Sequence, residues 1–390
     1  MTMSARLKLR LTQEISRRLA DRSLRVVRPR PTSLVSLAGN DYLGAGSDAA
    51  LREAFFLSDA GRLALSSGSS PLLYGESEGH ERLKATLERL FGRKALLFPS
   101  GWHLNTGLVD ALGALFRDRV LFLADRLVHA STIDGLLAAK RHGAAFRRYP
   151  HNDTAALARL LAEHAGAYEV VVVLTESLFS MDGDRADLRA LAELKAQYPN
   201  VLLAVDEAHG LGVLGESGLG LIEETNTADA VDFRILTFGK AAASSGAALL
   251  ADDQWLTLLP SLARPLIFST AESPLQAAWT AFVLEHFASW SDRRARLADL
   301  ARRVHDVLDE PRGNPGVLSP ILPWCLGDNE RTLTAARRLE DAGFLVSAVR
   351  PPTVPAGTSR IRISLSSALS ETDVERFIAA LRTVKEEITS

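Results

Sequence analysis

The sequence predicts an α/β fold built on a mostly parallel sheet, and three observations carry that prediction. Short apolar runs recur at Ala95–Phe98, Val120–Ala124, Val170–Thr175, Val201–Val205 and Arg234–Phe238. Between the third and fourth runs lies Arg185–Gln197, where Leu188, Leu191 and Leu194 recur at the spacing of an amphipathic crossover helix. The alternation of strand and helix is the grammar of βαβ units, whose strands run parallel.

The remaining elements follow in chain order. Met1–Arg28 is rich in Arg, but Glu14, Asp21 and the scarcity of Ser argue against an organellar transit peptide. Leu7, Leu11 and Ile15 at spacing four predict an amphipathic arm helix instead. Ser273-Pro274 opens a long helical stretch through Trp290 toward Leu308, with Pro at a first-turn position. A Pro- and Gly-rich loop from Pro311 to Pro323 ends it. Then come a helix over Arg331–Ala342, strands around Phe344–Val349 and Arg360–Leu365, and a closing helix from Ser370, where Ser370-Glu371-Thr372-Asp373 resembles a capping box. The expected division is an N-terminal arm (1–45), a large domain (46–275) and a smaller C-terminal α/β domain (276–390).

Composition narrows the function classes. The 390 residues carry 47 acidic and 45 basic side chains, a net charge of −2, which is no field for wrapping nucleic acid. The lone Cys325 can form neither an internal disulfide nor a thiolate metal cluster, which fits a reducing cytoplasm. Apolar runs such as Val170–Leu174 fall far short of the ~20 residues that span a bilayer.

Spacing removes several common sites. Gly239-Lys240 lacks the upstream glycine of a P-loop, and His80-Glu81 lacks the second His of a zincin helix because position 84 is Lys. Gly215-Glu216-Ser217-Gly218-Leu219-Gly220 fits neither a nucleophile elbow nor a dinucleotide fingerprint. No metal site is expected.

What remains gathers at strand ends. Val201–Val205 delivers Asp206 at its carboxyl end with His209 in the following turn, and the next apolar run delivers Gly239-Lys240 at the same edge, where open parallel sheets bind ligands. A lysine and a carboxylate at neighbouring strand ends suit pyridoxal 5'-phosphate, whose aldehyde takes a lysine amine and whose ring nitrogen needs a carboxylate to stay protonated. Taken singly, either residue also reads as a turn cap or an exposed strand-end lysine. Ser100-Gly101-Trp102 follows a strand and opens a helical segment over His103–Leu112, where backbone N–H groups can cradle a phosphate. His129, just after Val120–Ala124, reaches the same edge and can stack on a pyridine ring or bond substrate.

These residues resemble the α-oxoamine synthases, pyridoxal-phosphate transferases of fold type I. The resemblance spans nearly the whole chain and rests on Asn40-Asp41-Tyr42-Leu43-Gly44, Ser100-Gly101, Asp125–Ser131, Phe179-Ser180-Met181-Asp182-Gly183-Asp184, Asp206–Gly210 and Thr237-Phe238-Gly239-Lys240. Within the family, Arg350–Thr358 with Arg360-Ile361-Arg362, together with His151-Asn152-Asp153 and Gly327-Asp328-Asn329, is similar to the members that condense L-alanine with a pimeloyl thioester.

The resemblance implies roles position by position. Lys240 would carry the cofactor and then move the Cα proton, Asp206 would pair with the ring nitrogen, and His129 would stack on the ring. His209, Ser180 and Thr237 would fix the phenolic oxygen and phosphate side, Gly101 and Trp102 would line the phosphate and ring, and Thr270 would reach the phosphate of a neighbouring subunit in a homodimer. Asn40 and Arg362 would hold the amino-acid carboxylate, while Thr353 and Arg25 would touch the acyl substrate, carried on coenzyme A or an acyl carrier protein. The alternatives are a relative condensing glycine or serine, such as a 2-amino-3-ketobutyrate ligase, and a cofactor-binding partner without catalysis. The sequence departs from the family at Ala241–Ser245, where a Phe-Gly pair is expected, at Glu272, which replaces an apolar residue, and at Leu369, which replaces a His.

Overall fold

Seven strands form the central sheet: β1 (Ala95–Phe98), β2 (Val120–Asp125), β3 (Ala145–Tyr149), β4 (Val170–Glu176), β5 (Val201–Asp206), β6 (Phe233–Thr237) and β7 (Ala247–Leu250). This computed structural model describes residues 3–27, 29, 31–308 and 319–389. The strand order is β1-β7-β6-β5-β4-β2-β3, and only β7 runs antiparallel to its neighbours. The sheet is therefore mostly parallel, as the apolar runs predict.

Burial on both faces explains why β2 and β5 read as continuous apolar runs rather than alternating ones. Phe122 and Ala124 enter one apolar layer with Phe98, Leu104 and Phe233; Leu121 and Leu123 enter the opposite layer with Val171, Leu203 and Leu221. The sequence reading missed β3 and β7. At the sheet edge, β3 exposes Arg147 and Arg148, charges that discourage pairing with another chain. The short Ala-Ala-Leu-Leu of β7 has little strand propensity, and its pairing on both sides makes it a strand.

Two expectations are corrected. The long helix from Pro274 is two helices, Pro274–His286 and Ser291–Leu308, separated by a 3-10 turn at Phe287–Ser289. The bend lets Phe287 and Trp290 both bury their rings, with centroids 5.8 Å apart. The loop expected through Pro323 stops earlier, because Ile321–Gly327 is a strand and Pro323 lies inside it opposite Arg362. That strand is at the edge of a three-stranded antiparallel sheet with Ser347–Val349 and Ser359–Ser364, where a missing N–H is tolerated. The start of the expected loop, at Pro311, lies outside the described residues.

The arm helix forms over Met3–Ala20, with Leu7, Leu11 and Ile15 all exposed and Glu14 bonded to Arg17 (2.6 Å) and Arg18 (2.7 Å). Val35–Ser36 then pairs in parallel with Phe344–Leu345 as a separate two-stranded sheet, which ties the N-terminal segment to the C-terminal region. The closing helix is Glu371–Thr389; Ser370 Oγ accepts from Asp373 N at 3.1 Å, so Ser370 caps the helix start, and it donates to the Asp373 carboxyl at 2.6 Å in place of the reciprocal backbone bond of the expected capping box.

Candidate active site

The parallel strands converge on one edge, and the chemistry-bearing residues collect there. Asp206 is the last residue of β5, and Glu176, the last of β4, lies in register beside it. Lys240 follows β6 and donates from Nζ to Thr237 Oγ1 at 2.9 Å. A cavity of about 260 Å³ is lined by Ser100, Gly101, Trp102, Asn105, His129, Glu176, Asp206, His209, Thr237 and Lys240, among others. Burial pushes the Lys240 amine below its ordinary value, against the nearby Asp206 and Glu176, which favours the uncharged nucleophile. Burial, reinforced by the Asp206 charge, pushes the Glu176 carboxyl well up.

The helix Gly101–Phe116 starts at this cavity. Ser100 caps it by accepting from His103 N at 3.3 Å, and the first N–H groups of the helix, from Gly101 and Trp102, lack intrahelical acceptors by geometry. A Cβ on Gly101 would lie 2.6 Å from Thr237 Cγ2, so only glycine lets this helix start approach the end of β6 so closely. These donors form an anion cradle beside an amine and a buried carboxylate.

Two imidazoles complete the walls. His129 Nδ1 accepts from Ser131 N at 3.3 Å and lies 2.7 Å from Ser131 Oγ, and burial lowers its pKa, which favours the neutral ring. The Trp102 indole meets the His129 ring edge-on, centroids 5.9 Å apart. Burial, followed by the Lys240 and Arg362 charges, pushes His209 well below its usual range, and its Nδ1 lies 2.7 Å from the Tyr42 hydroxyl.

Behind this cavity, Arg362 connects distant segments. Its Nε donates to Ser180 O at 2.6 Å and its Nη2 to Asn40 Oδ1 at 3.2 Å, while the Tyr42 hydroxyl donates to Asn40 Oδ1 at 3.1 Å. Asn40 lines an adjoining cavity that shares Gly239 with the first. Arg25 Nη2 donates to Thr353 Oγ1 at 2.9 Å, and Thr353 lines a third cavity of about 930 Å³ with Val128, Phe179, Pro351, Val354 and Arg360.

The sequence-named residues thus fall into three groups. Gly101, Trp102, His129, Asp206, His209, Thr237 and Lys240 share the first cavity; Asn40, Ser180 and Arg362 sit together behind it; Arg25 and Thr353 meet at the third. Ser180 meets Arg362 through its backbone, and neither it nor the exposed Thr270 lines the first cavity. Sequence reasoning missed Asn105, whose amide donates to Asp206 Oδ2 at 2.9 Å and to Ser131 Oγ at 3.0 Å, and Glu176. A buried Asn on the apolar Gly101–Phe116 helix, and a carboxyl ending the Val170–Thr175 run just as Asp206 ends its own, were the available signals.

A lysine, a buried carboxylate and a helix-start anion cradle at the carboxyl edge of a parallel sheet define a pyridoxal-phosphate type of transferase site. A family model described as aminotransferase class I and II matches residues 32–381. An 8-amino-7-oxononanoate synthase of Haemophilus ducreyi is 41% identical over 357 residues, covering 89% of this chain and 91% of its own. A Pasteurella multocida protein given that synthase name provisionally is 43% identical over 368 residues, 93% of each chain. Among solved structures, an 8-amino-7-oxononanoate synthase from Francisella tularensis superposes with a TM-score of 0.73 at 25% identity, over 92% of this chain and 99% of that one. A Sphingomonas wittichii serine palmitoyltransferase reaches 0.87 at 24% identity over 100% and 99%, a likeness of fold. The chain belongs to the aminotransferase class I and II family, within its 8-amino-7-oxononanoate synthase branch.

Proposed function

We propose that this protein condenses L-alanine with a pimeloyl thioester, releasing CO2 and the free thiol carrier to give 8-amino-7-oxononanoate for biotin synthesis. The observation that carries the reading is the sharing of one cavity by Lys240, Asp206, His129 and the Gly101 helix start. The donor set fits pyridoxal phosphate, and the cofactor would be held by Lys240, Asp206, His209 and Thr237, with Gly101 and Trp102 at the phosphate, His129 on the ring and Ser180 behind.

When bound, pyridoxal phosphate supplies an electron sink for the charge left at Cα after proton removal. The protein's residues do the rest. Arg362, oriented by Ser180 and Asn40, clamps the amino-acid carboxylate with a planar fork. Lys240, whose amine burial pushes below its ordinary value, takes the Cα proton and later returns one. Arg25 and Thr353 orient the acyl thioester at the wide cavity, whose apolar walls accept a chain and whose Arg126 and Arg148 suit an anionic carrier.

The protein acts as a homodimer in which Thr270 reaches the neighbour's phosphate. Ala271 N donates to Ser69 O at 3.0 Å, which sets exposed Leu72, Leu73 and Tyr74 beside exposed Phe268, an apolar surface suited to a second copy. The chain divides into arm (1–45), large (46–275) and small (276–390) units, a reading supported by the seven-stranded and three-stranded sheets, whose strands come from Ala95–Leu250 and Ile321–Ser364. The cytoplasm supplies the reducing setting for Cys325; among the described residues no helix is long and apolar enough to cross a membrane.

The test compares thiol release from pimeloyl thioesters on coenzyme A and on acyl carrier protein, with alanine, glycine and serine. Alanine-selective release that disappears in Lys240→Ala, with loss of the cofactor's visible absorbance, supports the reading. Preference for glycine or serine, or a spectrum unchanged by Lys240→Ala, overturns it.

A further inference from the structure

The turn that carries His129 and the loop that braces Arg362 come from different strands, yet one side chain touches both. His151 Nδ1 lies 2.9 Å from Asp125 Oδ1, at the end of β2, and its Nε2 lies 2.7 Å from Asp184 Oδ2, in the loop after β4. A carboxylate only accepts, so both contacts call for N–H donors on the ring.

Neighbouring bonds extend the bridge in both directions. Asp125 also accepts from Leu127 N and Asn152 N, each at 2.8 Å, which shapes the turn leading to His129. Asn152 Nδ2 donates to Asp184 Oδ2 at 2.7 Å, and Phe179 N donates to Asp184 O at 2.9 Å. The His151 ring stands edge-on to Phe179, centroids 4.4 Å apart, and the next residue, Ser180, accepts from Arg362. A continuous chain of contacts therefore runs from the His129 turn through His151 to the Arg362 guanidinium.

We propose that His151 is a positioning residue, a clamp between Asp125 and Asp184 that sets the His129 turn against the Arg362 loop and so spaces the ring wall from the carboxylate anchor. This assignment of His129 and Arg362 rests on the function proposed above; the bridge itself does not. Burial opposes charge on the ring, but the Asp125 and Asp184 bonds outweigh it and raise its pKa to about 10. The wider cavity beside it also presents Arg126, Arg148, Asp182 and Arg360, of which Asp182 and Arg360 pair with each other. Protonation is present throughout the neutral range, and the clamp loosens as the pH rises through about 10.

The holoenzyme tests it in three variants. His151→Gln cannot donate to both carboxylates and is expected to lower kcat about tenfold and raise KM for alanine. His151→Arg, with two fixed donors and a charge that does not titrate, is expected to recover to within about threefold and to lose the alkaline limb expected of the wild type near pH 10. Asp184→Asn, which keeps the fold if His151→Gln does not, should show a smaller loss of the same kind. Independently of turnover, ring-labelled histidine NMR should show His151 protonated to pH 9, and in His151→Gln the His129 titration should move back toward its ordinary value. Unchanged kcat and KM in His151→Gln or Asp184→Asn, an alkaline limb kept in His151→Arg, or a neutral His151 ring at pH 8 overturns the clamp. Absence of wild-type turnover with a normal His151 signal overturns only the proposed reaction.

Discussion

The side-chain amide of Asn105 donates to the Asp206 carboxylate at 2.9 Å and, from the same nitrogen, to Ser131 Oγ at 3.0 Å. Asp206 also accepts from Ala208 N at 2.9 Å, so it is held from the helix and from its own turn. Asn105→Ala leaves a buried acceptor short of a donor, a loss of about 1–3 kcal/mol. Urea unfolding should register that loss, and the cofactor's visible band and kcat should change with it, because Asp206 is freed to rotate. Asn105→Asp should be worse still, since it places a second carboxyl against Asp206.

Arg362→Lys keeps the charge and removes the fork. With only one of the Ser180 and Asn40 contacts reproducible by an ammonium, KM for the amino acid should rise about tenfold to a hundredfold. Steady-state kinetics at fixed thioester checks this. KM for the thioester should stay within a factor of about two, because Arg25 and Thr353 lie at a separate cavity.

Glu272 is buried with neither carboxyl oxygen hydrogen-bonded, and burial pushes its pKa up to about 8. In the folded protein it keeps its proton until about pH 8, whereas the unfolded chain releases it near 4.5. Stability therefore falls as the pH rises from about 4.5 to about 8 and levels off above. Glu272→Gln should flatten that part of the curve, measured as Tm against pH. An equal slope in wild type and variant would contradict the assignment.

Ala243 holds φ at 48°, in the left-handed region that favours glycine. It lies in the Ala241–Ser245 segment where the family resemblance leads one to expect a Phe-Gly pair, and Trp279 Nε1 donates to its carbonyl at 3.0 Å, which holds the turn in place. Ala243→Gly should stabilise the protein by about 0.5–1 kcal/mol, the relief of strain exceeding the added chain entropy. Denaturant midpoints with an unchanged m-value would show it.

Much of the site is legible in the sequence alone. In a parallel sheet every forward strand ends at the same edge, so the residues after Val120–Ala124, Val201–Val205 and Arg234–Phe238 had to share a neighbourhood, and His129, Asp206 and Lys240 do line one cavity. Glu176 obeys the same rule, but a carboxyl after an apolar run also reads as an ordinary strand end, so the sequence alone does not single it out. Trp290 and Pro323 failed the reading for another reason: burying two rings bends a helix that local spacing would continue, and an edge position admits a proline that local propensity would exclude.

The sequence by itself determined the alternation of strands and helices, the strand-end placement of the reactive residues and the family resemblance, because these depend on local periodicity and on turn chemistry within a few residues. Only the tertiary structure decided that Arg362 meets Ser180 and Asn40, that Arg25 meets Thr353, that Asn105 holds Asp206 and that His151 joins Asp125 to Asp184. Those partners come from separate strands, helices and turns, and no periodicity in the chain specifies which of them pack together. Their distances follow from the register of the sheets and the packing between them, and burial in turn sets how Lys240, His209 and Glu272 hold their protons.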